Sequence, residues 1–182
     1  MTLWLRLIWL VLTLPFQSKV TPSEGLARRH RVLPTDIDLN FHMTNSRYGS
    51  FADLARLAMM ARSGILRAAF VNDWRPMLLA SKIRFRRELK PLRVFRVETR
   101  LRWWNETSAI FEMRFLTRGQ DGEDILAAIS LERAGLYSRK EKRFVTVSEM
   151  FAAMGVAPAA PPAPSPEILA FAQAEEEMRK AA

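Results

Sequence analysis

The sequence predicts an α+β fold, one long helix followed by an antiparallel sheet of about five strands. Three observations carry that expectation. Polar Ser46, Ser50, Asp53, Arg56, Ser63 and Arg67 recur at helical spacing, while Tyr48, Phe51, Ala52, Ala55, Ala58, Met59, Ile65 and Leu66 fill the other side. Further on the period drops to two: Leu79, Ser81, Ile83 and Phe85 alternate with Ala80, Lys82, Arg84 and Arg86. The breaks between later segments, at Asn105-Glu106 and at Gly119-Gln120-Asp121-Gly122, are too short to carry a parallel crossover.

Leu3 to Phe16 is strongly apolar, is interrupted by Arg6 and falls short of the about 20 residues that span a bilayer. It also lacks the basic lead and small-residue cleavage site of a signal peptide. Two readings stand: a helix packed on the domain or on a partner subunit, or an interfacial anchor giving peripheral membrane contact through residues 3–16, with Trp4 and Trp9 at the headgroups. Gln17 to Arg29 reads as a polar connector, and Arg31-Val32-Leu33-Pro34 as a short first strand. Thr44 or Asn45 can cap the long helix, and Ala52, Ala55 and Ala58 let its backbone lie close against a sheet.

Asn72 to Pro76 is a turn cluster. Beyond the strand at Leu79, Phe95, Val97, Thr99 and Leu101 alternate with Arg96, Glu98, Arg100 and Arg102. Ala109, Phe111, Met113 and Phe115 oppose Glu112 and Arg114 in the next strand, and Ile125 to Tyr137 is apolar enough to be buried on both sides. The concave face should carry Ile83, Phe85, Val97, Phe111, Met113 and Phe115. Ser148 to Met154 adds a helical turn, and Ala157 to Pro164 is a Pro/Ala linker. Ser165-Pro166-Glu167 starts a helix running through Lys180, with Ser165 as cap and Glu175-Glu176-Glu177 as a solvated face. Three regions follow: an N-terminal segment and connector at 1–28, one domain at 29–154, and a linker with a C-terminal helix at 155–182.

The 182 residues, 49% of them hydrophobic, suit one core with appendages. With no cysteine, thiol nucleophiles, disulfides and thiolate metal sites are excluded, and a reducing, cytoplasmic setting fits. The two histidines, His30 and His42, have no metal-ligand spacing, so no metal is expected. The net charge of +9 favours an anionic partner, whether a phosphorylated molecule, a membrane surface or nucleic acid. Nucleic acid is disfavoured because the basic residues spread along strands and no recognition motif accompanies them.

Asp36, Asp38 and His42 precede the helix that opens at Thr44-Asn45. Free amides at a helix start favour developing negative charge, so a carboxylate just ahead of them suits attack on a carbonyl. Residue type alone allows a blander reading, in which both aspartates are loop or capping residues, His42 a hydrogen-bonded loop residue and Tyr48 part of the core. Ser46, Ser50 and Ser63 lack a G-x-S-x-G context, which argues against a serine triad.

The stretch Asp36-Ile37-Asp38-Leu39-Asn40-Phe41-His42-Met43-Thr44-Asn45-Ser46-Arg47-Tyr48 resembles the D-x-D-x-x-x-H-M/V-N-N-x-R-Y signature of the 4-hydroxybenzoyl-CoA thioesterase-like superfamily. It is most similar to the thioesterase-superfamily-member-6-like branch, whose second strand Ser81 to Leu89 also resembles. Thr44 departs from the usual Asn, and Asn40-Phe41 stands where many relatives carry a glycine. The resemblance implies a hot-dog fold, its sheet wrapped around the central helix, and hydrolysis of an acyl-CoA thioester with Asp38 as general base or nucleophile.

It further implies that amides near Met43 to Asn45 polarise the carbonyl and stabilise the oxyanion, while His42 and Asn45 orient the loop or touch substrate. Met43, Thr44 and Tyr48 would contact substrate, and Arg84 and Arg86, among the strand cations Lys82, Arg84, Arg86, Arg100 and Arg102, would meet the CoA phosphates. A homodimer or tetramer sharing each pocket is implied, and no cofactor. The competing reading is a non-catalytic module that binds acyl-CoA, lipid or a membrane surface; a hydratase is disfavoured because its helix motif is missing.

Overall fold

In the computed structural model, which describes residues 2–21, 24–157 and 159–181, the long helix buries the face its spacing predicts. Pro22 and Ser23 of the expected connector and Pro158 of the expected linker lie outside the described residues. The order is α1 (Thr2–Thr13), β1 (Leu26–Arg31), α2 (Asn45–Ser63), α3 (Ile65–Val71), β2 (Trp74–Phe85), β3 (Val94–Trp104), β4 (Ser108–Arg118), β5 (Asp124–Ser138), β6 (Arg143–Phe144), α4 (Val147–Met154) and α5 (Pro166–Ala181). The sheet runs β1-β3-β4-β5-β2, with β6 added to β5.

The chain divides into two compact units, the first formed by residues through Ser63 with Ile83–Arg100 and Met113–Ser130, the second by Gly64–Lys82, Leu101–Glu112 and everything from Leu131 on. The first unit holds α2 against aromatic sheet residues. Phe51 meets Phe95 at a right angle with ring centres 4.9 Å apart, and Tyr48 meets Phe85 and Phe115 edge-on at 5.0 and 5.1 Å. Each buried aromatic contributes roughly 1.5–3 kcal/mol by burial and such ring pairs about 0.5–1.5 more. Ala52, Ala55 and Ala58 are fully buried beside them, so the helix axis sits close to the strands.

In the second unit α5 covers Ile110 of β4 through Ile168 and Phe171, with Ala80, Trp103 and Leu131 around them. Arg133 ties the helix down by pairing with Glu175 while its Nε donates to Ser108 Oγ at 2.8 Å. Glu175 is therefore a docking residue, whereas Glu176 and Glu177 do lie on a solvated face, paired with Arg179 and Lys180. The Ser165 carbonyl accepts from the Ile168 and Leu169 amides.

Four local expectations change. The first strand is Leu26–Arg31 rather than Arg31 to Pro34, because the ladder to β3 pairs Leu26 with Thr99 through Arg31 with Val94. Arg28 and His30 share the inward face with Leu26, which hides the strand from any hydrophobic alternation. The long helix breaks at Gly64, whose φ of +89° is left-handed, and resumes as α3. β2 begins at Trp74 inside the expected turn cluster; Pro76 is tolerated because β2 ends the sheet order and needs no donor on its outer side. As an edge strand it leaves Phe85 44% exposed, so it contributes less to the concave face than Val97, Met113 and Phe115, which are fully buried. Finally, Glu112 is buried: the second face of β4 is covered rather than solvated.

Candidate functional site

The motif folds as a tight loop tied at both ends. A 3-10 turn over Pro34–Asp36 leads into a single antiparallel bridge between Ile37 and Met43. Inside it the Asp38 amide donates to His42 O at 3.1 Å and the Phe41 amide to Asp38 O at 3.1 Å, with Phe41 at φ +58°. The Met43 amide donates to Leu89 O at 2.9 Å and the Thr44 amide to Asp36 O at 2.9 Å. Helix α2 then starts at Asn45, with the Thr44 carbonyl accepting the Arg47 amide at 2.9 Å.

These bonds redistribute the amides that the sequence grouped together. Met43 and Thr44 spend theirs on Leu89 and Asp36, so the amides left without an acceptor among the described residues are those of Asn45 and Ser46, in the first turn of α2.

The two aspartates are separated in environment. Asp36 is fully buried: Arg6 donates from Nη2 to Oδ2 at 2.6 Å and from Nη1 to Oδ1 at 3.1 Å, the Leu33 amide donates to Oδ2 at 2.9 Å, and Arg47 Nε lies 3.5 Å from Oδ1. The Arg6 guanidinium also sits 4.5 Å from the centre of the Phe51 ring. Asp38 keeps 30% of its side chain exposed. Its Oδ1 accepts the Asn40 amide at 2.9 Å and lies 3.6 Å from His42 Nδ1, while Oδ2 has no partner among the described residues. His42 thus has an acidic neighbour, and its Nδ1 also lies 3.4 Å from Met43 O.

A pocket of about 390 Å³ opens beside the loop, lined by His42, Met43, Asn45, Tyr48, Phe85, Arg86, Arg87 and Glu88. Five of the expected site residues, His42, Met43, Asn45, Tyr48 and Arg86, are brought together on it. Asp38, Thr44 and Arg84 are not among its lining residues; Asp38 stands next to it through His42, Thr44 is half-buried just ahead of α2, and Arg84 is exposed on β2. Burial raises the Tyr48 phenol to about 12, so it stays neutral and serves as wall. Sequence reasoning missed Glu88, Arg87, Arg6 and Arg47. The lone Arg6 inside an apolar run was the signal for its buried partner.

An acidic loop, a long helix and an antiparallel sheet in this order define the hot-dog fold. A model of the thioesterase-like superfamily matches residues 32–155, and the chain belongs to that superfamily. Protein THEM6 of Xenopus laevis is 36% identical over 102 residues, 56% of this chain and 48% of the relative, so the chain spans about half the length of that protein. The solved probable thioesterase YbaW from Escherichia coli superposes with a TM-score of 0.62 at 17% identity, over 71% of this chain and 98% of that one. A mutant of 4-hydroxybenzoyl CoA thioesterase complexed with 4-hydroxybenzoyl CoA superposes with a TM-score of 0.61 at 12% identity, over 72% and 99%. No helix among the described residues is long and apolar enough to cross a membrane, and no cluster of metal-binding side chains occurs among them.

Proposed function

We propose that this chain is an acyl-CoA thioesterase, splitting an acyl-CoA thioester into free acid and CoA. The observation that carries the reading is the unpartnered Oδ2 of Asp38, held in a loop that ends on the open amides of α2, within the span matched by the superfamily model. The thioester carbonyl would lie toward Asn45 and Ser46, whose N–H groups stabilise the oxyanion as the C–S bond breaks. Asp38 either takes a proton from a water whose oxygen adds to the carbonyl, or adds itself to give a mixed anhydride that a water then hydrolyses; in both routes the thiolate of CoA leaves and is protonated. His42 holds the loop near Asp38, and Arg86 with Arg87 at the pocket wall supplies positive charge for the phosphates.

Thiol release from a panel of short, medium, long and aromatic acyl-CoAs, with wild type beside Asp38→Asn, tests this. Turnover by wild type with loss in the variant supports it. No turnover of any thioester, or a variant as fast as wild type, leaves a non-catalytic acyl-binding module instead. Single turnover in ¹⁸O water bears on the role of Asp38: label in the protein carboxylate, from water opening the anhydride at the Asp38 carbonyl, would identify it as nucleophile.

A second copy of the chain is the proposed partner. Met77, Leu78 and Leu79 on the edge strand β2 are exposed, and in the loop Leu39 is 97% and Phe41 78% exposed, more apolar surface than a lone chain needs to show. Sedimentation velocity on wild type and Leu78→Glu checks this: a dimer or tetramer that the variant splits supports it. A membrane surface is the second reading, favoured by one observation. Helix α1 buries Leu10 and sends Arg6 inward, while Trp4, Leu5, Ile8, Trp9, Val11 and Leu12 remain exposed along it. Co-flotation with anionic vesicles, lost on Trp4→Ser with Trp9→Ser, tests that reading.

A further inference from the structure

Beneath α1, in the same unit as the loop but lined by other residues than the pocket beside it, lies a cavity of about 240 Å³. Its walls include Leu5, Trp9, Leu10, Leu33 and Leu54, and its polar lining is basic: Arg6, Arg28, Arg29 and His30. Arg6 pairs with the Asp36 carboxylate, which also acts on His30. Arg28 Nη1 is sealed from solvent and makes no hydrogen bond with any described residue. Its guanidinium is held below its ordinary range first by burial and then by Arg62, so the surroundings oppose its charge. His30 Nε2 is likewise enclosed without a partner, its ring held between Phe51 and Phe95 at 5.0 and 5.6 Å.

An unpaired, half-enclosed guanidinium is costly, and Arg62, the charge that acts on it, is a further cation. An apolar cavity of about 150 Å³ is large enough for a benzene ring, so 240 Å³ holds a short apolar body. We propose that this cavity is a binding site for a short apolar carboxylic acid, its carboxylate on the Arg28 guanidinium and its chain among Leu5, Trp9, Leu33 and Leu54. A planar guanidinium matches a carboxylate with two parallel hydrogen bonds, which a lone hydroxyl cannot reproduce. Leu5 and Trp9 are more than half exposed, so the acid enters along α1. The site is independent of whether the loop hydrolyses thioesters.

The experiment is calorimetric titration of the full chain with sodium octanoate, with 1-octanol as the uncharged probe of the same length. Saturable binding of one octanoate per chain, with octanol at least about tenfold weaker, is the expected result, corresponding to about 1.4 kcal/mol. Arg28→Met, which keeps length and removes charge, should weaken octanoate about tenfold or more, and Leu33→Phe should fill the cavity and weaken both probes. Asp38→Asn should bind octanoate as wild type does. Absence of saturable binding, octanol as tight as octanoate, an unaffected Arg28→Met, or loss of binding in Asp38→Asn would each overturn the proposal. If Arg28→Met fails to fold, the comparison of octanoate with octanol on wild type still decides. Binding seen only to vesicles, and unchanged in Arg28→Met, would show a lipid surface on α1 and no acid site.

Discussion

Asp36 and Asp38 stand two residues apart in one loop, have the same side chain and sit in opposite surroundings. Every oxygen of the Asp36 carboxylate is claimed, by Arg6, Arg47 and the Leu33 amide, and no water reaches it. Asp38 spends one oxygen on the Asn40 amide and leaves the other open. A carboxylate with both oxygens claimed holds structure, whereas one with an open oxygen is what the proposed function asks of Asp38. Spacing alone gives two aspartates and does not say which is which, because the deciding partners come from elsewhere, Arg6 thirty residues upstream and Arg47 in the first turn of α2.

The sharpest way to break this contrast is to neutralise each in turn. Under the proposed function, Asp38→Asn should lower kcat for acyl-CoA hydrolysis by about 10²–10⁴-fold, the usual contribution of a general base, with a melting temperature close to wild type. Asp36→Asn should do the reverse. Removing one partner of a buried pair leaves the other charge stranded and costs about 3–5 kcal/mol, read as a lower urea midpoint. Comparable stability losses in both variants would erase the distinction.

How much of this was legible in the sequence follows the same line. The helix face at Tyr48, Phe51 and Ala55, the hairpin at Asn105 and the inward Val97, Met113 and Phe115 were readable because apolar side chains with one period announce one buried face. β1 was misplaced because its inward side chains are Arg28 and His30, polar groups buried against Phe51 and Phe95 that no hydrophobic pattern can reveal. The loop residues were readable as a cluster through the motif; its hydrogen bonds were not, which is why Met43 and Thr44 seemed to offer amides that Leu89 and Asp36 already hold. Long-range pairs such as Arg6 with Asp36 and Arg133 with Glu175 leave only weak traces: an arginine inside an apolar run, and an acidic run that looks solvated.

His30 extends the contrast to a titrating group. Burial first, then Arg28 and Arg6, hold its imidazole at about 4, against an ordinary value near 6.5. Above pH 6.5 it is neutral folded and unfolded, so it costs nothing. Between about 6.5 and 4 the unfolded chain binds the proton and the folded chain does not, so stability falls as pH falls, by roughly 3 kcal/mol at most for this one group. Urea titrations of wild type and His30→Phe at pH 7 and pH 4.5 check the sign: the drop in wild type should exceed the drop in the variant. A drop of equal size in both would show that the enclosed ring is not what limits acid stability.

The mildest case is a carboxylate that is strongly perturbed and still contributes little. Glu149, first through Arg143 and then through the Thr146 amide and hydroxyl, is held at about 2, yet it lies at the surface where solvent screens most of that interaction. What its contacts do build is the start of α4: Thr146 Oγ1 accepts the Glu149 amide at 3.2 Å, and Glu149 Oε2 accepts the Thr146 amide at 2.7 Å. Satisfying those two donors is the work, and losing the Thr146 half of it in Thr146→Ala should cost about 1 kcal/mol. Glu149→Gln, which keeps a side chain able to accept the Thr146 amide while losing the charge, should cost less. The Glu149 stabilisation is present above pH 4.5 and lost as pH falls through about 2, so at pH 7 the comparison by thermal melting is clean. If Glu149→Gln proved as damaging as Thr146→Ala, the pairing with Arg143 rather than the satisfied amide would be what starts the helix.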